Sequence, residues 1–210
     1  MKGKAFAISL LLLLSLGLDA SAQLNADRKR FESNICFGAG MFAETGNPVD
    51  RPGVVLRLSY GLDIRFNDNW SLMPGVGLKS QVSDIAHLGW VGGDADQMSA
   101  IDLSCRARHH YSVFNDETVI GLGPQITYMF HPDRYYYDAD PSDPIGNKEK
   151  FHRFDICLQP SIQCSTSKHS YWGIEAIIGL RNMMVQYPFH SWTTGNIHLH
   201  NVMFIYGWIF

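Results

Sequence analysis

VVLRLSYGLDIRFNDNWSLMPGVGLKSQV, residues 54–82, is the stretch whose reading decides the architecture. Its apolar residues recur with a period of two rather than the 3.6 of a helix. Val54, Leu56, Leu58, Tyr60, Leu62, Ile64 and Phe66 share one face, and Arg57, Ser59, Gly61, Asp63 and Arg65 the other. Asn67-Asp68-Asn69 then supplies a tight turn of residues that tolerate left-handed backbone. The return run sets Trp70, Leu72, Val76 and Leu78 against Ser71, Gly75, Gly77, Lys79 and Gln81. Two alternating runs around a short turn read as a long β-hairpin.

The same period extends outward in both directions. A first strand over 33–43 places Ile35, Phe37, Ala39 and Met41 together. Later strands group Ile101, Leu103, Cys105 and Ala107, then Ile120, Leu122, Ile126, Tyr128 and Phe130, then Phe154, Ile156, Leu158 and Ile162. The last two group Trp172, Ile174, Ala176, Ile178 and Leu180, and Val202, Phe204, Tyr206, Trp208 and Phe210. About eight strands result, most with the ten or so residues of a tilted membrane-crossing strand. Connections alternate between tight (around Asn67, 112–117 and 165–170) and long (83–97, 131–150 and 182–196), as in bacterial outer-membrane barrels.

Alternation is shared by a barrel apolar inside and by its inverse, and the composition of the second face separates them. A water-facing surface is rich in charge. Here that face is built largely of glycine, serine and glutamine, with Arg57, Asp63, Arg65, Lys79, Asp102, Arg106, Arg108, Arg153, Asp155, Glu175 and Arg181 among them. These eleven form the expected lumen charge cluster, with Asp102 and Glu175 expected to pair with Arg106 or Arg108. Phe66, Trp70, Tyr111, Trp172, Trp208 and Phe210 fall at the turn-side ends of strands as an interfacial girdle, with Tyr128, Phe130 and Phe154 at the other rim. The fold class expected is therefore all-β, an eight-stranded antiparallel transmembrane barrel.

The amino terminus reads as a secretory leader over residues 1–22, and the barrel domain as 23–210. Lys2 and Lys4 form the positive region, Ala5 to Leu18 the apolar run, and Ala20-Ser21-Ala22 an A-x-A cleavage site. No later apolar run reaches the roughly 18 residues of a membrane helix. With a net charge of −3 and no basic stripe, nucleic acid is excluded as a partner. Cys36, Cys105, Cys157 and Cys164 lack C-x-x-C spacing and are expected as free thiols. The closing segment NVMFIYGWIF, 201–210, is the expected last strand, since an open edge in hydrocarbon strands backbone donors and acceptors.

The hairpin SYGLDIRFNDNWSLMPGVGLKSQ resembles the second and third strands of the PorT-like outer-membrane β-barrel family of Bacteroidota, and leader, strand number and terminal segment fit across the mature chain. In NVMFIYGWIF, Phe204, Tyr206, Trp208 and Phe210 resemble the carboxy-terminal signal that the barrel-assembly machinery recognises. The resemblance implies the cell outer membrane, with its lipids and that machinery as partners. The family's named member serves protein secretion.

Several residues invite chemistry. An eight-stranded lumen is just wide enough to be filled by its own side chains, so a plug is expected, with a small-solute channel as the alternative. His198 and His200 share a strand face and His190 lies in the preceding loop, but no third ligand accompanies them and no metal is expected. His109 and His110 fall on opposite faces. His190-Ser191 is the pair a lipid A-modifying enzyme would use, although adjacency is not triad geometry. Tyr135, Tyr136 and Tyr137 suit a partner-binding loop tip. Asp138, Asp140 and Asp143 lack the glycine and terminal glutamate of a calcium loop. The expected role is non-enzymatic and cofactor-free, structural or interaction-based in the envelope. The alternatives are a channel, an accessory of a secretion machinery, and, behind them, a lipid A enzyme.

Overall fold

The computed structural model describes residues 31–47, 51–83, 96–113, 116–130, 132, 134–135, 148–186 and 196–210. The leader, most of the long connections, His190, Ser191, Tyr136, Tyr137 and the three loop aspartates lie outside them, as does the Tyr135 side chain. Among the described residues eleven strands are present: β1 Phe31–Asn47, β2 Arg51–Arg65, β3 Trp70–Ser83, β4 Asp96–Val113, β5 Asp116–Met129, β6 Arg134–Tyr135, β7 Lys148–Phe151, β8 Phe154–Ser167, β9 Ser170–Gly179, β10 Met184–Gln186 and β11 Asn196–Ile209.

Eight of them close into one antiparallel barrel in the order β1-β11-β9-β8-β5-β4-β3-β2. Each strand lies beside its neighbours in the chain, and β11 returns to β1 with Asn34 opposite Ile209 and Asn47 opposite Asn196. The terminal segment is thus hydrogen-bonded along both edges, to β1 and to β9. That removes the open edge that hydrocarbon would penalise. The remaining strands form a small sheet ordered β10-β7-β6, almost wholly inside the long connections that the alternation predicts over 131–150 and 182–196. The two- to four-residue lengths of these strands are too short to show an alternation.

The hairpin behaves as its pattern requires, with Leu58 opposite Leu78 and Arg57 opposite Lys79. Asn67 Oδ1 accepts from the amides of Asn69 and Trp70 and fixes the turn. Besides Pro52 near the start of β2, three prolines sit inside barrel strands, where the missing N–H normally forces an edge position. Beside Pro74, Pro124 and Pro160 the pairing is interrupted, between Gly61 and Ile64, between Ser104 and Ala107, and between Leu158 and Ser161.

The faces sort decisively. Leu58 is 52% exposed, Ile126 50%, Ile178 37% and Tyr206 37%, whereas Arg57 is 4%, Arg106 4% and Glu175 1% exposed. A soluble protein would invert this order. No helix among the described residues is long and apolar enough to cross a membrane. The molecule is a closed eight-stranded antiparallel barrel of the outer-membrane type, apolar outside.

Candidate functional site: the closed lumen

The middle of the lumen is held by charges drawn from opposite walls. Glu175 on β9 reaches Arg57 on β2 and, at 2.5 Å, Arg106 on β4. Asp102 on β4 accepts from Arg57 Nε at 3.1 Å, lies 3.5 Å from Lys79 Nζ and takes a bond from Thr127 Oγ1 at 2.7 Å. Arg57 lies across Gly77, where an added Cβ would stand 2.9 Å from its Nε; that close approach explains a glycine in the wall. Of the expected pairings, Glu175 with Arg106 forms, whereas Asp102 takes Arg57 and Lys79 instead of Arg106 or Arg108. The cross-strand register places Gly77 opposite Asp102, and Arg57, the partner of Lys79, crosses over that glycine to reach it. Alternation sets the face, not the height along the barrel at which two charges meet.

Towards the tight turns a second cluster forms. Arg108 Nη1 pairs with Asp63 at 2.7 Å, and Arg108 Nη2 donates to Gln163 at 2.6 Å. Arg65 pairs with Glu117 at 2.9 Å and lies 3.6 Å from Glu32. Glu117 lies at the turn-side end of β5 opposite Ser112, one pair nearer the turn than Tyr111. The hydrogen bond from His110 and the Arg65 charge hold its carboxyl well below the usual range, at about 2.

One constellation here escaped the sequence reading. Ser71 Oγ lies 2.7 Å from His110 Nε2, and His110 Nδ1 lies 2.8 Å from Glu117 Oε1. This is the connectivity of a hydroxyl–imidazole–carboxylate relay. Its members come from three strands, and only the parity of Ser71 and His110 was visible beforehand. Ser71 is 2% exposed. The cavity lined by His110 and Glu117 measures about 20 Å³. That is room for one water molecule and none for an acyl group. The relay satisfies buried polar atoms and lacks access for a substrate. A wider hollow of about 350 Å³ lies at the turn-side mouth, lined by Glu32, Arg65, Glu117 and the 165–168 turn.

Towards the long connections the interior changes character. Gln81 donates to Asn201 at 2.8 Å, and beyond them most inward positions are apolar, the exceptions including the buried Glu44, opposite Leu199, and Asp155 beside Gly179. Phe42, Val55, Met98, Ala100, Met129, Ile177, Ile197 and Leu199 are buried there, together with Phe151, Met183 and Met184 from outside the barrel strands. His152 N donates to Met183 O at 2.7 Å, and Met183 N to Ile197 O at 2.8 Å, which fastens this cap to the rim. The expected packed polar lumen is polar only in part: the turn-side and central parts carry the ion pairs, with Met73, Met203 and Ile205 buried among them, and the loop-side end is packed mostly by apolar side chains, together with the buried Glu44 and Asp155.

Two members of the expected charge cluster lie elsewhere. Arg153 and Arg181 are exposed, not in the lumen. Arg153 precedes the first residue of β8 and Arg181 follows the last residue of β9, each in a bend where strand alternation no longer holds. Asp155 is buried, with Oδ1 lacking a hydrogen-bond partner among the described residues.

The aromatic positions lie on the outer wall. Phe66, Trp70, Trp172, Phe204, Tyr206, Trp208 and Phe210 are exposed, and Tyr111 is half-buried. His109 joins Trp70 and Tyr111 in this band, with ring centroids at 4.7 and 6.0 Å, while His110 points inward. His198 and His200 stack at 6.2 Å, and His200 Nε2 lies 3.0 Å from Thr45 Oγ1. Among the described residues no three ligating side chains gather for a metal. All four cysteines are free, Cys36 and Cys157 buried.

No protein-family model and no curated protein matches this chain. Among solved structures it is similar to Neisserial surface protein A, at 9% identity and a TM-score of 0.52 over 86% of this chain and 97% of that one. It is also similar to the outer membrane enzyme PagL, at 10% identity and a TM-score of 0.47 over 84% and 97% of the two chains. Ail, the attachment invasion locus protein of Yersinia pestis, follows at 8% identity and a TM-score of 0.46 over 85% and 98%. At such identities the likeness concerns the fold alone. What the likeness to Neisserial surface protein A and the geometry establish together is an eight-stranded barrel of the outer-membrane type.

Proposed function

We propose that this chain is a non-conducting, non-enzymatic outer-membrane protein with a structural or interaction role in the bacterial envelope, delivered by cleavage of residues 1–22. The observation that carries this reading is the double closure of the lumen. Across its middle runs the Arg57–Glu175–Arg106 bridge, and across its loop-side end lies the cap of Phe42, Met98, Met129 and Met183. An ion moving through would have to displace paired charges and then part the closely packed side chains of the cap. The barrel then acts as a rigid frame that holds the long connections outside the membrane.

The resemblance of residues 59–81 to PorT-like barrels supports placement in that family, and the aromatic pattern ending at Phe210 supports handling by the barrel-assembly machinery. A role as accessory of a secretion machinery rests on that resemblance. The test is conductance in planar bilayers. The expected trace is flat; steady unitary currents from the unmodified protein would overturn the closed-lumen reading and favour a channel. Co-purification from envelopes that yields a stoichiometric secretion component would favour the accessory role.

A further inference from the structure

The two arginines that leave the lumen converge on one spot of the loop-side rim. Arg153 Nη1 donates to Tyr128 Oη at 3.4 Å, and Arg181 Nη1 donates to the main-chain oxygen of Phe154 at 3.2 Å. Phe154 follows Arg153 directly, so the two guanidinium groups bracket a single residue. That residue faces outward and packs on Tyr128 at 4.9 Å, which packs on Phe130 at 5.7 Å. Leu180, beside Arg181, is among the most exposed apolar side chains of the wall. Among the described residues no carboxylate forms an ion pair with either arginine, in contrast to every arginine inside the lumen. Each guanidinium therefore keeps most of its five N–H donors available.

Guanidinium groups without a carboxylate partner among the described residues, set beside an aromatic and aliphatic wall, present opposite chemistries to the two parts of one ligand. The planar fork of arginine matches phosphate oxygens, and the wall below it matches acyl chains. Aromatic side chains mark the level at which a membrane passes from hydrocarbon to headgroup. We infer that Arg153 and Arg181 bind the phosphate of an anionic membrane lipid in the loop-side leaflet, with the lipid's chains lying on Phe154 and Leu180. This inference rests on the proposal that the apolar band spans a membrane, and it names a ligand chemistry and a place for it.

The test uses the full-length barrel in bilayers of phosphatidylcholine doped with phosphatidic acid, with retained lipid read by native mass spectrometry. The unmodified protein is expected to retain phosphatidic acid in preference to phosphatidylcholine, and inorganic phosphate added in solution is expected not to displace it. Loss of one charge-assisted contact of ordinary strength corresponds to about a tenfold loss of retention. The double variant Arg153→Gln/Arg181→Gln is therefore expected to lose at least that preference, and Arg153→Lys/Arg181→Lys to fall between. Lys168→Gln removes a charge at the opposite rim and is expected to change nothing. Unchanged retention by the glutamine double variant in a barrel that still enters neutral bilayers would overturn the lipid site and leave the membrane reading intact. A protein that enters no bilayer at all would overturn both.

Discussion

Replacing Glu175 by glutamine removes one charge from the centre of the lumen and leaves its volume nearly unchanged. Glu175 is almost fully buried and is the shared partner of Arg57 and Arg106. After Glu175→Gln, Arg57 keeps Asp102 at 3.1 Å. Arg106 has as its other partners, among the described residues, Ser161 Oγ at 3.5 Å and Met73 Sδ at 3.9 Å, so its buried charge loses compensation. Breaking a buried pair from one side costs about 3–5 kcal/mol, and the lower end applies because the amide oxygen still accepts a bond. The assay is equilibrium urea unfolding of the barrel refolded into vesicles, followed by tryptophan emission. A loss of about 3 kcal/mol is expected. Removing both partners, as in Arg106→Met/Glu175→Leu, is expected to recover part of it, because no stranded charge remains. If Glu175→Gln lay within about 0.5 kcal/mol of the unmodified protein, water or ions would be compensating Arg106, and the closed centre would be wrong.

Four further outcomes follow from the geometry. In Gly207→Ala the new methyl would fall on the ring of Tyr171, its cross-strand neighbour, and overpacking of about 1–3 kcal/mol is expected in the same unfolding assay. The Glu117 carboxyl, depressed from 4.5 to about 2, contributes stability that is present above pH 4.5 and is lost as the pH falls towards 2. Its partial exposure reduces that contribution to about 1 kcal/mol, and Glu117→Gln is expected to flatten the stability profile across this window. Ser71, 2% exposed and hydrogen-bonded to His110, is expected to remain unlabelled by a fluorophosphonate probe; stoichiometric labelling lost in Ser71→Ala would make the relay catalytic. Arg153→Ala, on an exposed bend, is expected to leave folding stability within about 0.5 kcal/mol.

The fold was legible because one physical constraint repeats along the whole chain. Every crossing strand must show hydrocarbon one face and the lumen the other, so Leu56, Leu58 and Tyr60 announce the same fact as Phe204, Tyr206 and Trp208. Glycine, serine and glutamine on the second face announced a cramped interior. Parity gave less about contacts. It placed Asp102, Arg57 and Lys79 on one side of the wall, but their meeting depends on strand stagger, which a single sequence does not display. Parity also failed at strand ends, where Arg153 and Arg181 turn out of the lumen because the ladder has stopped. The apolar cap was hidden because Phe42, Met98 and Met129 occupy inward positions that resemble outward ones when read singly, and because Met183 and Met184 belong to a connection. The Ser71–His110–Glu117 relay needs three strands in register. Nothing in the spacing of those residues marks it.

The orientation of the wall is the claim on which the other statements depend, and acyl-chain contact tests it most directly. With the four native cysteines replaced, single cysteines at Leu58 and Ile126 would carry a fluorescent label in vesicles whose lipids bear brominated chains. Strong quenching by the bromines at both positions, with little quenching by aqueous iodide, is the expected result. Iodide quenching at both positions with no effect of the brominated chains would contradict it, and the apolar face would belong to a soluble barrel.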